Sequence, residues 1–91
     1  MRLSNRENAT ASMINSWILS LQGSGNAELN KIVNDLIQLR RQMSSQPLTS
    51  AENRIILGRL ITTTNQARGV NNPKHEACLQ QMQTTIQNFT N

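Results

Sequence analysis

Apolar positions recur along this chain at intervals of three and four residues, in four separate runs. That spacing places each run on one side of an α-helix, and no strand-period alternation is long enough to compete with it. The first run is Thr10, Met13, Ile14, Trp17, Ile18 and Leu21. The second is Leu29, Ile32, Val33, Leu36, Leu39 and Met43. The third is Ile56, Leu57, Leu60, Thr64 and Ala67, and the fourth is His75, Cys78, Leu79, Met82, Ile86 and Phe89.

The residues between the runs read as helix punctuation. Ser4 with Glu7, and Thr49 with Glu52, have the spacing of capping boxes, in which each side chain satisfies a free backbone N–H of the other residue. Asn26 is a good N-cap, and Asn72 is followed by Pro73 at the first helical position, where the missing N–H costs nothing. Gly23 and Gly69 end the first and third runs, and Pro47 closes the second. These signals predict helices at about 4–22, 26–44, 49–68 and 72–89. Short connections make sequence neighbours antiparallel neighbours in space. The expected fold is all-α, an antiparallel up-down-up-down four-helix bundle forming a single domain over residues 1–91. A three-helix bundle with a docked or swapped fourth helix is the structural alternative, since the tail "QQMQTTIQNFTN" makes the last stripe the thinnest. "LSNREN" and "LTSAEN", which open the first and third helices, look like a repeat but are explained as two start signals.

Composition narrows the picture. A chain of 91 residues builds a thin core, and with Trp17 and Phe89 as its only aromatics that core is aliphatic. Cys78 is the single cysteine, so no intrachain disulfide forms. No stretch has the length of a signal peptide's apolar region or of a membrane span. The expected compartment is therefore the cytoplasm, with export by a non-classical route as the alternative. Without a secretory signal, the triplets Asn8-Ala9-Thr10 and Asn88-Phe89-Thr90 are read as chance rather than glycosylation sites.

Catalytic chemistry finds little to work with. His75 and Cys78 are three residues apart on one helix face and are the only such pair, but no flanking signature of a cysteine enzyme accompanies them. His75, Cys78 and Glu76 do not make a closed metal site by themselves. "GSGN" lacks the spacing and the Lys of a phosphate loop. Four of the five acids, Glu7, Glu28, Glu52 and Glu76, stand near helix starts, where they complement the helix dipole. The expectation is a non-enzyme with no cofactor, no metal and no evident small-molecule substrate.

Two surfaces remain. The predicted topology gathers Arg2, Arg6, Arg40, Arg41 and Arg54 at one bundle end against Glu7 and Glu52, within a formal net charge of +4. Such an end suits phosphate contacts, although no aromatic platform or recognition helix accompanies it. The third helix carries Ala51, Ile55, Gly58 and Thr62 opposite its core stripe, and Gly58 is a costly choice inside a helix. Ile37 and Ile61 flank their stripes, and Leu19 points away from its own. Ala51, Ile55, Gly58, Thr62, Ile37 and Leu19 are thus the candidate protein interface. The expected function is protein–protein binding in a regulatory, adaptor, inhibitor or immunity-type role, with a second copy of the chain among the candidate partners. A nucleic-acid accessory protein using the arginine-rich end is the alternative. In size, helical topology and positive charge the chain resembles the small four-helix immunity proteins of bacteriocin producers. That likeness lies in outline alone, and no functional residue carries over from it.

Overall fold

Four helices form where the three-and-four spacing places them: α1 at Asn5–Leu21, α2 at Ala27–Met43, α3 at Ala51–Ala67 and α4 at Pro73–Thr90. The computed structural model describes residues 5–47, 50–69 and 72–90, and among these there is no strand. Arg2, Ser4 and Thr49 lie outside the described residues, as do the side chains of Arg6, Glu7 and Phe89. The expected Ser4–Glu7 cap therefore has no structural description.

The local chemistry of the helix ends explains where they fall. Asn26 caps α2, its Oδ1 accepting from the backbone N–H groups of Glu28 at 2.8 Å and Leu29 at 3.3 Å. Asn72 does the same for α4, accepting from the His75 N–H at 2.9 Å. Gly23 and Gly69 follow α1 and α3 at φ +72° and +93°, the left-handed region that favours glycine. At the end of α2 the Ser44 and Ser45 hydroxyls donate to the carbonyls of Arg41 and Gln42, which also accept from backbone N–H groups of the turn that follows.

The start of α3 corrects the sequence reading. The cap is Ser50, not Thr49: the Ser50 Oγ accepts from the Asn53 N–H at 3.2 Å, and Ser50 has extended geometry. This puts Asn53, rather than Glu52, at the third helical position from the cap, while Thr49 of the expected Thr49–Glu52 box lies outside the described residues. Asn53 turns backwards and inwards instead. It is fully buried, and its Nδ2 donates to the carbonyls of Gln46 at 3.3 Å and Pro47 at 2.8 Å. One buried amide thus ties the α2–α3 connection to α3.

The helices pack in a ring: α1 on α2, α2 on α3, α3 on α4, and α4 back on α1 by the lightest of the four seams. Among the described residues the backbones of the diagonal pairs, α1 with α3 and α2 with α4, do not approach within 8 Å. All the predicted stripe residues of α2 and α3 are buried, as are Thr10, Ile14, Trp17, Ile18 and Leu21 of α1 and Cys78, Leu79, Met82 and Ile86 of α4. The apolar ones form one continuous cluster, with Ala11, Met13, Ile37 and Ile61 half-buried against it. The radius of gyration is 12.5 Å, close to the ~12 Å of a well-packed chain this long, so α4 is docked and not splayed away. Among the described residues no helix is long and apolar enough to cross a membrane.

Candidate functional site

The inward stripe of α3 fixes what its other side presents. Ala51, Ile55, Gly58 and Thr62 are all exposed, and Ile55 leaves 66% of its surface open, a large apolar side chain in water. A methyl group placed on Gly58 would meet nothing within 4 Å, so no other part of the described chain uses the gap that glycine leaves. Yet glycine within a helix costs about 1 kcal/mol relative to alanine. The Thr62 hydroxyl turns back on its own helix and donates to the Gly58 carbonyl at 3.3 Å. Beside this face lies an open groove of about 290 Å³ between α2 and α3, lined by Gln38, Gln42, Glu52, Ile55, Ile56 and Arg59. Arg59 spans the seam, its Nη2 lying 2.9 Å from the Asp35 carboxylate and donating to the Gln38 Oε1 at 3.1 Å.

The other candidate interface residues do not join this patch. Leu19 is 69% exposed, but it belongs to α1, which lies diagonally across the ring from α3. Ile37 is half-buried and packs against the core cluster, which is reason enough for an apolar residue there.

Of the arginines grouped from sequence, Arg40 and Arg41 close α2 and Arg54 opens α3, and all three are exposed. Arg40 and Arg41 thus precede, and Arg54 follows, the connection between these helices. Arg40 is committed sideways, its Nη1 donating to the Asn15 Oδ1 of α1 at 2.6 Å.

Cys78 is buried, and burial pushes its thiol up to about 11 from an ordinary 9.0, while a Ser20 hydrogen bond pulls weakly the other way. A desolvated thiol of this kind stays protonated at neutral pH, the opposite of an activated nucleophile. His75 is half-buried in the first turn of α4. Among the described residues no three of His, Cys, Asp and Glu converge as metal ligands.

Sequence reasoning passed over two buried amides, although it included the buried Thr10 and Thr64 in their stripes. Asn53 is one. Gln83 is another: its Oε1 accepts from the Arg68 Nη1 at 2.8 Å, and its Nε2 donates to Asn65. Arg68 also lies 3.8 Å from Glu76, whose carboxylate accepts from the Gly69 N–H at 2.9 Å. This network clasps the α3–α4 corner. Both residues stand at core spacing, three positions before Ile56 and three before Ile86, and only their polarity hid them. Comparison of the chain with protein-family models, curated proteins and solved structures finds no match.

Proposed function

We propose that this chain is a non-catalytic binding module that docks another protein on the outer face of α3, through Ala51, Ile55, Gly58 and Thr62. The observation that carries the reading is the pairing of a largely exposed Ile55 with an unfilled gap at Gly58. A bare apolar residue beside a helical glycine is a poor choice for a surface that meets only water, and a good one for a surface that a partner covers. Scattered exposed apolar residues are common and need no function, which is why Leu19 is left out.

The scaffold in this reading is one domain, an up-down-up-down antiparallel bundle. The ring order of packing, the short connections and the hydrogen bond between Ser20, near the end of α1, and Cys78, near the start of α4, support that topology. A lone, reduced thiol at Cys78 fits a reducing compartment such as the cytoplasm. The test is Ile55→Asp. It should abolish capture by a photo-crosslinking residue placed at position 62 while leaving the helical circular dichroism intact. Unchanged crosslinking would remove the α3 face from consideration.

The second reading uses the exposed Arg40, Arg41 and Arg54 as phosphate contacts. A protein bound through several phosphates loses affinity steeply as salt rises. If no DNA or RNA shift appears even at low salt, that reading is gone.

A further inference from the structure

The α3 face is self-complementary, and the geometry points to a second copy of this chain as its occupant, packed antiparallel about a two-fold axis that crosses α3 between Ile56 and Leu57. This inference rests on the α3 face being a docking surface and names what docks there.

The exposed residues Ala51, Ile55, Gly58 and Thr62 are spaced four, three and four apart, which is the seam spacing of two helices packed along their length. In an antiparallel pair, Ile55 of one copy stands opposite Gly58 of the other, and the same contact repeats on the far side of the axis. The largest apolar residue of the face therefore meets the one position where nothing occupies the space of a Cβ. Ala51 and Thr62 face each other at the two ends of the seam. The Thr62 hydroxyl is already bonded within its own helix, so covering it leaves no donor without a partner.

Charge selects both the occupant and its direction. Glu52 and Arg59 are seven residues apart and share one flank of the seam. Among the described residues Glu52 makes no ion pair, and the Nη1 of Arg59 is not used in its bonds to Asp35 and Gln38. In the antiparallel arrangement Glu52 of each copy lies beside Arg59 of the other, giving two intermolecular ion pairs around the apolar centre. A parallel arrangement instead sets this flank against the opposite flank of the other copy, which brings Arg54 of one beside Arg59 of the other, where like charges repel. Since one face serves both copies, the contact closes on itself as a two-fold dimer and does not propagate into a filament. A single helix face is a small interface, so the dimer should be weak and concentration-dependent.

The experiment is mass measurement by sedimentation, up to about 1 mM chain, where weak association is still visible. The wild type should convert from monomer to dimer, and I55D should stay monomeric with unchanged circular dichroism. E52R and R59E should each weaken the dimer at low salt. An equimolar mixture of E52R and R59E should recover it as a heterodimer, because the mixture restores opposite charges at both flanks. A wild type that stays monomeric throughout overturns the inference, as does a dimer indifferent to I55D. So does a mixture no better than its parts. A monomeric wild type whose position 62 still crosslinks to another protein sinks the second copy alone; no crosslink and no dimer sink the α3 docking face as well.

Discussion

The two sides of α3 obey different rules. The inner side carries Asn53, Ile56, Leu57, Leu60, Thr64 and Ala67, every one buried. The outer side carries Ala51, Ile55, Gly58 and Thr62, every one exposed. Inside, the apolar side chains join one continuous cluster, and the Asn53 Nδ2 ties α3 to the α2–α3 connection. Outside, size is mismatched: a bulky Ile55 stands free beside a glycine with nothing near it. Helix α2 is the useful contrast, since its apolar residues fall on a single stripe and Arg40 and Arg41 end it in water. Amphipathicity alone explains α2, whereas α3 has an apolar residue and a gap that the fold of one chain does not use.

Substitutions along α3 test that division. Leu60 is fully buried, and Leu60→Ala should destabilise the chain by about 2–5 kcal/mol in urea unfolding, the range for an uncollapsed cavity. A loss below about 1 kcal/mol would mean that the inner side is loosely packed and the contrast is false. Asn53→Ala removes both bonds to the α2–α3 connection and should cost about 1–3 kcal/mol. Ser50→Ala should cost about 1 kcal/mol by removing the cap of α3, and a silent substitution would return the cap to another residue. On the outer side the sign reverses. Measured in dilute solution, where the chain is monomeric, Gly58→Ala should raise stability by up to about 1 kcal/mol, because the methyl group meets no obstacle and alanine is the better helix former. Ile55→Ala in the same dilute solution should change stability by less than about 0.5 kcal/mol, as for an ordinary surface position. A larger loss would place Ile55 in the core and undo the distinction.

Much of this arrangement was legible in the order of residues. Spacing located four helices to within two residues at the ends that can be compared, and it selected the core of α2 without error. It offered Thr49 where Ser50 caps α3, because the two residues are chemically equivalent and their order along the chain does not say which hydroxyl meets the Asn53 N–H. It missed Asn53 and Gln83 because a stripe defined by apolar residues passes over an amide that finds partners indoors. It merged Leu19 with Ile55 because exposure is a property of one residue, while sharing a patch depends on which helices are neighbours. The pairing of Ile55 with Gly58 and of Glu52 with Arg59 needs a symmetry operation, which a single chain does not carry.

The lone tryptophan gives the fold a built-in optical gauge. Trp17 is buried on α1, and its indole N–H reaches the Gln81 Oε1 on α4 at 3.4 Å, across the lightest seam of the ring. With no tyrosine in the chain and no second tryptophan, emission excited at the red edge of the absorption band comes from that one ring. Lifting α4 admits water to the indole and shifts the emission to longer wavelength, while backbone ellipticity changes little as long as α4 stays helical. The separation between the two signals reads undocking of the last helix apart from its melting.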